Sequence, residues 1–326
     1  MLSKNDFNFR KIIIIHASDG YKVSCKNENL IILDPENNLV LQNSCYRIQA
    51  LWIIGHSQIS SGILERSKKF AFPIYILSVN LRNIGIWNSG AEGNTLLRKI
   101  QYQYTSIELG KYIIINKIEN QLHLLKSIRQ KPLSLKDNIN NILSYKDSIL
   151  SCNSIPEIMG YEGMASKIFF NHWFFEMDWQ GRKPRTKINP INVVLDMGYT
   201  YLFYFVENML NLYGFDIYKG VYHQAFYHRK SLVCDIVEPF RCIVDRTVLK
   251  AFHQGQFKEG DFSKINHQYK LDNKKIKYYN GWLIQGIMEY KESIFDYVQT
   301  YYRSFIREKG IDSFPFFDHR LNEVKL

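Results

Sequence analysis

Asn88-Ser89-Gly90-Ala91-Glu92-Gly93-Asn94 is the stretch at which the chain changes its period. It is small, polar and glycine-containing, the chemistry of a boundary between compact units. Before it, short branched apolar runs predict strands at Lys11–His16, Tyr21–Cys25, Leu30–Leu33, Leu39–Leu41, Ile48–Ile54, Pro73–Leu77 and Asn83–Trp87. Ser18-Asp19-Gly20 and Asp34-Pro35 supply turns between them, and Ser60–Phe70 reads as one helix. After it the period is helical: Leu97, Ile100, Tyr104, Ile107, Ile114, Ile118, Leu122 and Leu125 form one apolar stripe. Arg98, Lys99 and Gln101 lie off that stripe and read as a solvated face. Pro132–Leu150 reads as a helical hairpin of the same kind. The expected fold class is α+β: a small β-rich N-terminal domain over residues 1–88, a linker over 89–94, and a larger all-α domain over 95–326.

The 326 residues carry a formal net charge of +11, which points to a polyanionic partner. A membrane surface is the rival, but no basic amphipathic helix of the interfacial kind is present, and no membrane partner is expected. The longest aliphatic run, Ile12–Ile15, is far too short to span a bilayer. The start, MLSKNDFNFRK, lacks a signal-peptide core. Cys25, Cys45, Cys152, Cys234 and Cys242 contain no CxxC and leave one unpaired, which favours reduced thiols in a cytoplasm. His56 stands beside Ser57, Ser60 and Ser61, but without a nucleophile-elbow pattern, so turn and cap duty explains the serines. Gly90–Gly93 lacks the spacing of a dinucleotide loop.

Gly220–Arg246, GVYHQAFYHRKSLVCDIVEPFRCIVDR, carries the first chemical signal. It places His223 before two acids, Asp235 and Glu238, which share a face if Ser231–Val237 is helical. Ser231 suits an N-cap, and Pro239 kinks or restarts the helix. An imidazole and carboxylates converging on one point suit Mg²⁺ or Mn²⁺. A surface helix with ordinary charges is the plainer reading of this stretch alone. Ser154–Phe170, SIPEIMGYEGMASKIFF, adds Glu162 between Gly160 and Gly163, where it would sit in the first turn of an amphipathic helix. Gly181–Lys187, GRKPRTK, packs Arg182, Lys183, Arg185 and Lys187 into an exposed loop that would hang near the acids and contact phosphate. Asn189, Pro190 and Gly214 mark the cap, first residue and end of a core helix. The tail after Gly255 is lysine-rich through Lys277 and then helical from Trp282 to about Arg307.

These pieces, in this order, resemble the CRISPR-associated spacer-acquisition integrase family. The shared pattern is Gly160-x-Glu162-Gly163 with Ala165, Lys167 and Phe169; then Asn189-Pro190-Ile191-Asn192; then Gly220 to His223; then Ser231-Leu232-x-x-Asp235-x-x-Glu238 with Pro239-Phe240-Arg241. The likeness covers most of the chain to about Lys250. It implies Glu162, His223 and Glu238 as metal ligands, with Asp235 a nearby acid. Lys167 stands where the family usually has arginine, which weakens a bidentate phosphate contact; Lys167 and Arg241 join the loop cations as expected DNA contacts. The family's activity, by resemblance, is attack of a prespacer 3′-hydroxyl on the repeat–leader boundary of a CRISPR array, or of water in endonuclease mode. It implies double-stranded DNA as partner, a homodimer, and a small ferredoxin-like Cas-two subunit in a prokaryotic cytoplasm. The alternatives are a metal-dependent nuclease of branched DNA acting in repair, and a non-catalytic DNA-binding scaffold.

Overall fold

The computed structural model describes residues 7–17, 19–79, 81–88, 93–129 and 134–320. The middle of the expected linker, residues 89–92, and Pro132 lie outside the described residues. The chain forms two compact units, one of Met1–Asn94 with Asn208–Gly214, the other of Thr95–Glu207 with Phe215–Leu326.

The N-terminal unit holds two four-stranded sheets. In the first, β1 (Lys11–Ala17), β5 (Ile48–Gly55) and β7 (Ile74–Leu77) run parallel and β8 (Asn83–Trp87) closes the edge antiparallel. Its inner strand β5 is buried along nearly its whole length, as a parallel strand covered on both faces should be. The second has the order β4 (Leu39–Ser44), β3 (Asn29–Leu33), β2 (Lys22–Lys26), β6 (Gln58–Ile59). Asn27 and Glu28, both with positive φ, make the tight β2–β3 turn. Ile13 and Ile15, Val23, Leu30 and Ile32, Leu51 and Ile53, and Ile63 from helix α1 (Ser61–Phe70) meet in one core.

The second unit is helical, as its periodicity predicts. Its elements are α2 (Thr95–Gln103), α3 (Glu108–Ser127), α4 (Leu135–Leu150), α5 (Ile155–Trp173), α6 (Pro190–Tyr213, whose last residues belong to the first unit), α7 (Ser231–Val237) and α8 (Arg241–His253). Pro132–Leu150, expected as a hairpin, is a single helix over its described residues. The tail departs from the sequence reading. A hairpin of β9 (Phe262–Ile265) and β10 (Gln268–Leu271) precedes α9 (Asn273–Met288) and α10 (Lys291–Ile306). Asn266 and His267 form its turn at φ 49° and 63°. Lysine-rich composition hid this short alternation. Helices α8 and α9 cross closely at Gly286, where a Cβ would meet Thr247 Oγ1 at 2.3 Å. Among the described residues no helix is long and apolar enough to cross a membrane.

Candidate active site

Helix α3 organises the site. From Leu109 to Leu125 none of its residues is exposed, yet Asn116, Lys117, Asn120 and Gln121 are polar and buried. Buried polar groups require partners, and those of Lys117 are the two predicted acidic ligands. Its ammonium bonds the Glu162 carboxylate and lies 2.7 Å from Glu238 Oε2. Arg241 holds Glu238 as a fork, Nε 2.9 Å from Oε2 and Nη2 3.0 Å from Oε1. The Tyr222 hydroxyl donates to Glu162 Oε2 at 3.1 Å. Lys117 is the residue that sequence reasoning misses. Its signal is a run of polar residues on a helix that has no wet face to put them on.

Glu162 is not in the first turn of its helix. Helix α5 starts at Ile155 after the cap Ser154, with Pro156 in its first turn, so Glu162 sits two turns inside it. Gly160 and Gly163 are also interior, and a Cβ on either would meet nothing within 4 Å. The start signal was the proline rather than the glycines.

His223 and Asp235 form a second arm. Asp235 is fully buried and accepts the backbone N–H groups of Val221, Tyr222 and His223 at 2.6, 3.1 and 2.8 Å. His223 Nδ1 lies 2.7 Å from Asp235 Oδ1. A carboxylate on Nδ1 fixes the ring and leaves Nε2 for another partner. Gly220 makes this turn possible: a Cβ there would stand 2.6 Å from Asp235 Oδ2 and 2.7 Å from the His223 carbonyl oxygen. Helix α7 spans Ser231–Val237 and restarts beyond Pro239, as the sequence predicts, but its cap is Lys230. Ser231 instead donates to the Gln224 carbonyl at 3.0 Å. Gln101, expected on a solvated face, is buried; it donates to the Asp216 and Lys219 carbonyls and accepts Asp216 N–H at 2.8 Å, fastening the segment that leads to Gly220.

The charges are closely matched. Burial alone would raise the Glu238 pKa, but Arg241 and Lys117 bring it down to about 2. Burial works against the Lys117 ammonium, and Glu162 and Glu238 outweigh it, raising its pKa above the ordinary value. Asp245, buried on α8 with the Tyr199 hydroxyl donating to it, is pushed up to about 7 by burial.

The structure brings Glu162, Glu238 and Lys117 together, and His223 with Asp235. The ligand atoms of Glu162, His223 and Glu238 do not all come within 4.8 Å of one another. Among the described residues the trio that does is His123, Asp318 and His319. Burial lowers the His319 pKa to about 4 and holds His123 below its ordinary value.

The expected phosphate contacts divide into two kinds. Arg182 is engaged inside the fold, Nη2 2.6 Å from Asp196 Oδ1 and Nη1 2.7 Å from Asn192 Oδ1. Arg241 is engaged by Glu238 and lies over the Tyr199 ring. Lys167, Lys183 and Arg185 are exposed and Lys187 is half-buried. The Arg185 amide bonds Asp196 Oδ2 at 2.9 Å, and the Lys187 carbonyl accepts Tyr269 N–H from β10 at 2.7 Å, so the loop backbone is pinned at both places.

This architecture has close counterparts among solved structures. A Cas1 protein from Thermotoga maritima superposes with a TM-score of 0.77 at 17% identity, over 91% of this chain and 97% of that one. A casposase bound to an integration product gives 0.77 at 18%, over 96% and 98%. A chain of a Cas6-RT-Cas1–Cas2 complex gives 0.79 at 21%, over 95% of this chain and 36% of that one. At such identities the likeness establishes a shared fold. Sequence takes the matter further: the family of the CRISPR associated protein Cas1 matches residues 14–281. The CRISPR-associated endonuclease Cas1 of Thermodesulfovibrio yellowstonii is 32% identical over 280 residues, 80% of this chain and 87% of that protein. The chain belongs to the Cas1 family.

Proposed function

We propose that the chain is a metal-dependent DNA endonuclease and integrase that inserts short DNA fragments into a CRISPR array, a 3′-hydroxyl attacking a phosphodiester. The observation that supports this most is the meeting of Glu162 and Glu238 on one buried ammonium. Two carboxylates that draw in a cation, and an imidazole whose Nδ1 is already held and whose Nε2 is left for another partner, are donor types suited to Mg²⁺ or Mn²⁺. Glu162, His223 through Nε2, and Glu238 would hold that ion, which when bound supplies polarisation of the phosphodiester and stabilisation of developing charge.

The chain's own residues prepare the place. Asp235 sets the ring of His223 and its protonated nitrogen. Tyr222 orients Glu162. Arg241 and Lys117 keep Glu238 ionised. Lys167, Lys183, Arg185 and Lys187 reach phosphates and supply affinity that is largely independent of base sequence. The casposase counterpart, bound to an integration product, favours joining over cleavage alone. The Cas1–Cas2 assembly among the counterparts favours a Cas2 partner, and the family resemblance implies that this partner is a small ferredoxin-like subunit bridging a homodimer.

The test is a joining assay with a labelled duplex bearing a free 3′-hydroxyl and a plasmid carrying the CRISPR repeat. Joined product should need Mg²⁺ or Mn²⁺, vanish with EDTA, and vanish in Glu162→Gln and His223→Ala. Cleavage of branched DNA without joining would favour the repair nuclease. Joining that survives both substitutions would leave the site without its role.

A further inference from the structure

The segment Phe314–His319 lies along α3, held by two asparagines one helical turn apart. Asn116 donates to the Phe317 carbonyl at 2.7 Å and accepts Phe317 N–H at 2.8 Å. Asn120 donates to the same carbonyl at 2.9 Å, and its Oδ1 accepts His319 N–H at 3.2 Å. This strap delivers Asp318 and His319 to His123, three residues further along α3.

Three ligand atoms converge there. His123 Nδ1 is buried with no hydrogen-bond partner and faces Asp318 Oδ1 at 3.8 Å, beyond hydrogen-bond reach. The His319 ring is 6.0 Å from that of His123, centroid to centroid, and its Nδ1 is engaged by Asn120 Oδ1 at 3.1 Å, which leaves Nε2. The ligand atoms of all three residues lie within 4.8 Å of one another. Two of the three arms are also supported from behind: Asn120 sets the His319 ring, and Arg320 Nη2 holds Asp318 Oδ2 at 2.6 Å. A buried nitrogen left without a partner is expensive. Packing alone gives no reason for two imidazoles and a carboxylate to leave it so.

We propose that His123, Asp318 and His319 form a second metal site, for a zinc-class divalent cation, which clasps the C-terminal strap to α3. Two imidazoles with one carboxylate and an open position are a zinc-type ligand set. Nitrogen donors also favour such ions over Mg²⁺, so this site and the Glu162–Glu238 site select different metals. The clasp and the active site share one helix, since Lys117 follows Asn116 directly. The clasp stands apart from the nuclease reading and uses none of its residues.

The test uses the full chain, stripped with chelator and held in millimolar Mg²⁺, titrated with Zn²⁺ by calorimetry. One equivalent should bind with a dissociation constant of micromolar or below, raise the thermal midpoint and slow tryptic cleavage near Arg320. His123→Ala and Asp318→Asn should each weaken binding at least tenfold, and Glu162→Gln should leave it unchanged. His123→Ala is decisive, because it keeps every asparagine bond that holds the strap. Failure of the wild-type chain to bind Zn²⁺, or undiminished binding by His123→Ala, would overturn the proposal.

Discussion

The acid cluster around Lys117 and the basic loop Gly181–Lys187 handle charge in opposite ways. In the cluster the side chains point inward. Lys117 and Glu238 are 8% and 5% exposed, and each meets an opposite charge inside the fold. In the loop the backbone is tied down while Lys183 and Arg185 stand in solvent. On the proposed reading, folding and chemistry use the same atoms in the first region and different atoms in the second. A substitution in the cluster should damage both at once; one at the exposed cations of the loop should touch binding alone.

The largest effect is expected at Glu238. Glu238→Gln removes a proposed ligand and leaves Lys117 and Arg241 short of a buried counter-charge. Joining should fall below detection, and unfolding in urea should show a loss of about 3–5 kcal/mol. Adding Lys117→Met to Glu238→Gln should recover part of that stability and none of the joining. A double variant no more stable than Glu238→Gln would break the claim that this cluster is held by charge pairing.

Asp235 comes next. It accepts three backbone N–H groups and the His223 ring, so Asp235→Ala strands buried donors worth about 1–3 kcal/mol each. Asp235→Asn is the sharper variant. As a positioning residue, Asp235 should alter Mn²⁺ affinity, seen by electron paramagnetic resonance, by about 10–100-fold. A merely structural Asp235 would lower the thermal midpoint without moving that affinity.

The pH dependence separates Asp245 from its neighbours. Burial raises its folded pKa to about 7 from an ordinary value of 3.8. Its contribution to stability is therefore fully present below about 3.8 and lost as pH rises through about 7, on the order of a few kcal/mol. Asp245→Asn should flatten the fall in urea midpoint between those limits. An unchanged slope would assign the titration elsewhere.

How legible all this was in the sequence depends on what each feature rests upon. The N-terminal strands were readable because branched apolar runs and turn residues are local signals, and the helix from Pro190 because Asn189 caps it, its Oδ1 accepting Asn192 N–H at 2.8 Å. Glu162, His223, Asp235 and Glu238 were nameable from their motifs. Their division of labour was not, because it depends on α3, whose Lys117 comes from a distant part of the chain. The β9–β10 hairpin escaped because its polar alternation is shorter than the lysine-rich background around it. Arg182 looked like its loop neighbours because composition does not show which cation finds Asp196.

That last distinction gives the smallest and most discriminating prediction. Arg182 bonds Asp196 and Asn192 and is 16% exposed, so it behaves like a member of the acid cluster although it sits in the loop. Arg182→Gln should lower stability by about 1.5–3 kcal/mol, the range for hydrogen bonds to charged groups, and leave the salt dependence of duplex binding nearly unchanged. Lys183→Gln, Arg185→Gln and Lys187→Gln together should do the reverse. For every phosphate that is no longer neutralised, the slope of log affinity against log salt should fall by about 0.9, while the thermal midpoint stays in place. The two variants should therefore fall on different axes of one plot, midpoint against slope. If Arg182→Gln shifts the slope as much as one of the exposed cations, its pair with Asp196 opens when DNA binds. The division between inward and outward charge would then hold only for the free protein.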